Sequence, residues 1–255
     1  MEAMSIVESL FRWIHVVAGI LWIGLLYFFN WVNSAFAPTM DAETKKKVVP
    51  ELMPRALYWF RWGAAFTWVT GVFLLLLVFY HGGVALESDA TWSIANIAMI
   101  LLVFIAPFIY DFLYSGPVKA PEAGFAAGIV LAILLMALFQ LTGFSFRGYA
   151  IHLGSTFGTI MAFNVWFRIW PAQREIVTAT KNGQAPNPDK VALAGTRSRH
   201  NTYMSVPLVF LMLNQHMTWA ANPAWMGPIW LGLIVLLGWG LVYHIYDRAK
   251  KVPGF

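Results

Sequence analysis

Six histidines carry most of the metal-binding capacity of this chain, because it contains no cysteine. Without thiolates there is no disulfide, no iron–sulfur cluster, no zinc-thiolate centre and no C-x-x-C-H attachment of haem. A cofactor must then be held by His, Met, Asn or carboxylates. His15, His152 and His216 fall at a similar, outer level of three predicted helices, with His81 at the outer end of a fourth. Imidazoles at one depth on separate helices are placed to ligate a haem iron or another transition metal, and a non-covalent haem b suits them best. The alternative is that they serve only as interhelical hydrogen-bond partners. Gly19, one turn after His15 on the same face, leaves room for a flat macrocycle or for a neighbouring helix. Met212, one turn before His216, is a soft axial ligand or fills space.

A second group lies at the other end of the predicted helices. The segment "SRHNTYMSVPLVFLMLNQHMTW" starts at Ser198 and concentrates Arg199, His200, Asn201, Thr202 and Tyr203 at a helix amino terminus. Orphan N–H groups there favour anions and planar polar ligands, such as a small heterocycle or a haem propionate. The same residues also suit a plain helix cap with an anchoring arginine. Arg199, His200, Asn201 and Thr202 are the candidate substrate contacts, and His200 and Asn201 are candidate catalytic groups. Asp111 in "IYDFLYSGP" is a candidate proton acceptor, or else the ion-pair partner of Arg61.

The elements that must position these residues are set by composition. The 255 residues are 59% hydrophobic and 11% charged, with mean hydropathy +0.64, which points to lipid as the solvent. Apolar runs near the length of about 20 residues that crosses a bilayer predict seven helices, near 9–33, 56–80, 92–114, 124–143, 149–170, 202–219 and 227–246. The expected fold is all-α, one polytopic transmembrane domain over 1–255. Stretches of residues 34–55 and 171–201 are read as cytoplasmic loops, the first interrupted by Pro38, Pro50 and Pro54, the second beginning with a short amphipathic helix along the interface and then turning at Asn182-Gly183 and at Pro186-Asn187-Pro188. Lys45, Lys46, Lys47, Arg55, Arg61, Lys119, Arg168, Arg174, Lys181, Lys190, Arg197, Arg199 and the carboxyl-terminal Arg248, Lys250 and Lys251 fall on one side, against Arg12 and Arg147 opposite. That bias puts the amino terminus outside and the carboxyl terminus in the cytoplasm. The formal charge of +5 is thus explained by membrane sidedness, with no nucleic acid as partner. The Lys45–Lys47 cluster and the length of the first apolar run argue for a retained helix over a cleaved signal peptide at "SAFAP".

Helices one and five share an Ile-His start and a later Phe-Asn pair: "IHVVAGILWIGLLYFFNWV" beside "IHLGSTFGTIMAFNVWFRI". A parallel duplication of a helix pair would account for it, although the two His-to-Asn spacings differ.

"RWIHVVAGILWIGLLYFFNWVN", "PRALYWFRWGAAFTWVTG", "GTIMAFNVWFRIWPAQ" and "RSRHNTYMSVPLVFLMLNQH" resemble the membrane-spanning amino-terminal domain of the bacterial urate oxidase (urate hydroxylase) type. The opening His15, Trp22, Gly24 pattern is also similar to membrane haem proteins related to the oxygen-independent type of protoporphyrinogen oxidase. The first resemblance implies a multi-pass protein of the bacterial inner membrane. It also implies oxidation of urate in purine breakdown, with electrons leaving through a cytochrome c. Such members carry a carboxyl-terminal cytochrome c domain, whereas this chain stops at Phe255 without a C-x-x-C-H. Either a separate redox protein accepts the electrons, or this short form does something else with the same core. The expected function is a membrane oxidoreductase component. The alternative is a non-catalytic subunit of a larger respiratory or photosynthetic complex, and a purine-anion transporter comes third.

Overall fold

The computed structural model describes residues 2–118 and 120–253; Lys119 and Phe255 lie outside them. α1 (Glu2–Tyr27) runs through a π-helical segment, Phe28–Asn33, into the short α2 (Ser34–Phe36) and a 3-10 turn at Ala37–Thr39. α3 (Ala42–Leu74) also ends in a π-helical segment, Leu75–His81. α4 (Ile94–Ser115), α5 (Pro121–Leu141) and α6 (Phe146–Asn164) follow. A third π-helical segment, Val165–Ile169, joins α6 to α7 (Trp170–Lys181). α8 (Pro188–Leu213), a 3-10 turn at Thr218–Ala221 and α9 (Met226–Ala249) complete the chain. Among the described residues there is no strand, only an isolated bridge between Leu86 and Phe144. The all-helical expectation stands.

Among the described residues, five stretches are long and apolar enough to cross a membrane: Ala3–Thr39, Ala42–His81, Ile94–Ser115, Pro121–Leu141 and Met226–Ala249. The helices expected near 149–170 and 202–219 are not among them. α6 is largely buried, with Tyr149, His152, Leu153 and Met161 at 1% exposure or less, and is less apolar. α8 starts at Pro188, well before residue 202, and stops at Leu213. Its first half is polar in sequence yet buries Ala194, Arg197 and Asn201, a spacing of three and four that marks one helical face. Hydropathy does not register such a helix.

The segments read as loops are largely helical: the short helix expected to open the second is α7, ending at the Asn182-Gly183 turn, while the rest of the helix in both segments was not expected. Asp41 opens α3 by accepting from the Thr44 backbone N–H at 2.8 Å and the Thr44 hydroxyl at 2.8 Å. Those bonds, the backbone one foremost, hold its carboxyl below the usual range. α3 then continues through Pro50 and Pro54 without breaking. Burial of Met53, Leu57 and Phe60 on one face holds it across the prolines.

Two compact units emerge. The first comprises residues 2–71, 161–203 and 241–253, and the second 72–160 and 204–240. In the first, α1 crosses α3 at close range, since a Cβ on Gly63 would lie 3.2 Å from the Trp22 backbone nitrogen. Trp22, Leu26, Phe60 and Ala64 fill that crossing. In the second, α5 meets α9 where a Cβ on Gly128 would lie 3.0 Å from the Trp239 ring. α6 meets α8 where a Cβ on Gly154 would lie 3.2 Å from the Met212 methyl. Met212 therefore packs into the space that Gly154 leaves. Ser93 and Asn96 form a reciprocal cap on α4, and Asn96, fully buried, also donates to the Thr142 carbonyl at 2.5 Å.

Candidate functional site

The richest polar centre belongs to the first unit and is built around α8. Asn30, inside the π-helical segment after α1, donates to the Ser198 hydroxyl at 2.8 Å and to the Leu26 carbonyl at 2.9 Å. The Tyr246 hydroxyl of α9 donates to the Asn30 amide oxygen at 2.8 Å. One turn along α8, Asn201 accepts from the Asn164 amide at 2.9 Å and donates to the Met161 carbonyl at 3.0 Å. Asn164, Asn201 and Thr202 are fully buried and Asn30 nearly so. Each such bond adds about 1 kcal/mol net, whereas stranding one partner costs about 1–3 kcal/mol. The network therefore locks the α8 register. π-helical segments displace one face of a helix, and here one contains the Asn of a Phe-Asn pair and another begins directly after one.

Beside this network lies an aromatic wall. Tyr27 and Trp31 stack at 4.0 Å, Trp31 meets Tyr246 edge-on at 6.5 Å, and Tyr203 stacks on Tyr246 at 6.0 Å. The exposed Arg199 lays its guanidinium over Tyr246, 5.7 Å from the ring centre. The Trp31 indole N–H is buried and has no acceptor. A planar ligand with carbonyl oxygens and negative charge would find ring faces, an indole donor and a guanidinium here. His200 is half-buried on α8; burial, then the Arg197 and Arg199 charges, hold it down at about 4, so it is neutral at pH 7.

Of the expected substrate residues, Arg199 faces outward, Asn201 and Thr202 are inside the network, and His200 stands between. Asn201 spends its amide on α6. Asp111 sits half-buried on α4 in the second unit. Arg61 stacks on Trp170 at 4.0 Å, and the Trp166 indole donates to its carbonyl at 3.0 Å. Tyr246, Ser198, Trp31 and Asn30 were not singled out as site residues. The Phe-Asn pairs were the one sequence signal that bore on Asn30.

The expected metal ligands have diverse settings. His15, in the first unit, places Nδ1 3.1 Å from the Thr70 hydroxyl oxygen. That hydroxyl lies 2.6 Å from the Phe66 carbonyl, which can only accept, so its proton points there. His15 Nδ1–H must then donate to Thr70, leaving a lone pair on Nε2. Gly71 lets the ring approach, since a Cβ there would lie 3.1 Å from His15 Cε1. The space above Gly19 is taken by α3, with the Thr67 methyl 3.8 Å from a Cβ built there.

His152, in the second unit, is fully buried. Its Nδ1 lies 2.6 Å from the Gly148 carbonyl, so Nδ1 carries the proton, and Nε2 accepts from the Tyr80 hydroxyl at 2.9 Å. Phe139 and Phe144 flank the ring at 4.9 and 4.8 Å. Both nitrogens are in use. His81 is exposed. His216, expected within a helix, is exposed in the turn after α8, where the Asn214 side chain bonds the Phe210 carbonyl at 3.2 Å as the helix ends. Among the described residues, no group of three or more His, Asp or Glu side chains gathers to hold a metal ion. On these hydrogen bonds His15 Nε2 would be the nitrogen to hold a haem, and at His152 the Tyr80 hydroxyl stands where such a bond would form.

The family model described as "Urate oxidase N-terminal" matches residues 39–252. No curated protein matches the chain, and no solved structure does.

Proposed function

Because the chain belongs to the urate oxidase N-terminal family, we propose that it is a membrane component of urate oxidation whose α8-centred polar centre receives the purine. The observation that carries this reading is Arg199 laid over Tyr246, beside the buried Trp31 N–H and a ring wall anchored through Tyr246 and Asn30. Urate is planar, anionic at neutral pH and rich in carbonyl acceptors. Arg199 pairs with its charge, Trp31 donates to a carbonyl, and Tyr246 and Tyr203 offer ring faces. The Asn164–Asn201 pair holds α8 so that Arg199 keeps its place. The α8 segment from Ser198 to Tyr203 thus acts mainly by binding and orienting.

Oxidation removes an electron pair and two protons from urate as water adds. The haem b expected from the histidines would supply one-electron transfer to an outer acceptor such as a cytochrome c, with His15 as its ligand. His15 stands ready for such a bond because Thr70 fixes the tautomer. The long apolar helices support a multi-pass place in the inner membrane, with the amino terminus outside following the positive-inside bias. Membranes from cells expressing the chain should reduce added ferricytochrome c on addition of urate, with matching loss of urate absorbance. R199Q should abolish that rate. A rate no different from membranes lacking the protein would overturn the proposal.

A further inference from the structure

Tyr80 lies in the π-helical segment Leu75–His81 and aims its hydroxyl at His152 Nε2, 2.9 Å away. The direction of that bond is fixed by a third group. The Gly148 carbonyl can only accept, so His152 Nδ1 holds the ring proton and Nε2 must be the acceptor. Tyr80 is therefore a phenol already donating to a base. The pair is stacked, with ring centres 5.7 Å apart and planes at 29°. Phe139 and Phe144 close around the imidazole, and the Trp92 edge meets Tyr80 at 5.7 Å.

A phenol that loses an electron becomes a strong acid. One-electron oxidation of tyrosine is thus easiest where a base at hydrogen-bond distance takes the proton in the same step. The product radical survives where water and other reactive groups are kept away. The base is in place at Tyr80, and the imidazole that takes the proton is fully buried between Phe139 and Phe144, while Tyr80 itself is half-buried; the urate site of the first unit uses neither Tyr80 nor His152.

We propose that Tyr80 is a redox-active tyrosine that relays single electrons, with His152 as its proton partner. In the oxidising step, one electron leaves the Tyr80 ring for a one-electron acceptor of the haem-iron or ruthenium(III) class. The phenolic O–H bond breaks, and its proton forms an N–H bond at His152 Nε2. This leaves a neutral tyrosyl radical hydrogen-bonded to an imidazolium whose Nδ1–H stays on the Gly148 carbonyl. In the reducing step, one electron from a one-electron donor of the ferrous-haem or ascorbate class enters the ring and the proton returns from Nε2 to the phenolate oxygen. No other bond changes. The pair therefore moves one electron and one proton together and suits a protein that must divide a two-electron oxidation into single-electron transfers.

The test uses the purified full chain in nanodiscs without urate, so its failure leaves the urate reading intact. Flash-generated ruthenium(III) bipyridyl serves as the oxidant, followed by electron paramagnetic resonance. The wild type should give a long-lived neutral tyrosyl radical with an exchangeable-deuteron coupling after transfer to heavy water. Isotope-labelled histidine should add a nitrogen coupling to the same signal. Y80F, which keeps the ring and loses only the hydroxyl, should lose this long-lived component, and H152Q should lose its histidine coupling. A wild type without any exchangeable-deuteron-coupled radical, or a Y80F spectrum and decay equal to wild type, would overturn the proposal.

Discussion

Two histidines follow an isoleucine inside their helices, as Ile14-His15 in α1 and Ile151-His152 in α6, and each carries its proton on Nδ1 because of an acceptor on its Nδ1 side. What differs is the second nitrogen. At His15 the Nδ1 partner is a threonine hydroxyl from α3 and no described group fills Nε2, in a half-buried setting. At His152 a tyrosine hydroxyl fills Nε2 and three aromatic rings close the cage. The same Ile-His pair therefore yields one imidazole with ligating capacity left and one with none. The helix packed opposite decides which.

The largest expected effect is on stability. His152→Ala strands the Tyr80 hydroxyl and opens a cavity, costing about 3–5 kcal/mol, while His15→Ala, half-exposed, costs about 1 kcal/mol. Thermal unfolding in detergent measures both, and equal losses would break the comparison. Next come the partners. Y80F leaves His152 Nε2 without a donor and should cost about 1–2 kcal/mol, against less than about 1 kcal/mol for Thr70→Val. The same melts read this order. Chemical accessibility sharpens the contrast without unfolding anything: diethyl pyrocarbonate attacks a free imidazole lone pair, so mass spectrometry should find the label on His15 and not on His152.

The smallest effect concerns pH. His200 is held down at about 4 in the fold against an unfolded value near 6.5. Between those values the unfolded chain binds the extra proton, so stability falls as pH drops from about 6.5 to about 4 and is level above that window. His200→Gln should flatten this slope, and an unchanged slope would place the titration elsewhere. Solvent reaches part of the ring, which keeps the effect modest.

Which parts of this were legible in the sequence follows from what hydropathy and spacing measure. The apolar runs near 9–33, 56–80, 92–114, 124–143 and 227–246 all reappear as long apolar helices, because length and apolarity are local properties. The early start of α8 was not visible. Arg197 and Asn201 look like surface residues until the packing that buries them is known. The segment at Ser198–Tyr203 was found as a concentration of donors, and the polar centre forms there. Its partner Tyr246 was not, because Asn30 and Tyr246 lie 216 residues apart and no spacing rule links them. The histidines were grouped by depth along predicted helices, which cannot say that Tyr80 occupies Nε2 of one of them. Two of the three π-helical segments left no signature beyond a Phe-Asn pair, and Leu75–His81 left none.

The central claim, that the polar centre of the first unit binds urate, is tested most directly by equilibrium binding of radiolabelled urate to the purified protein in nanodiscs. Saturable binding is expected in the wild type and in Y80F, lost in R199Q and weakened in W31F. Wild-type protein that takes up no urate, or R199Q that binds as well as Y80F, would contradict it.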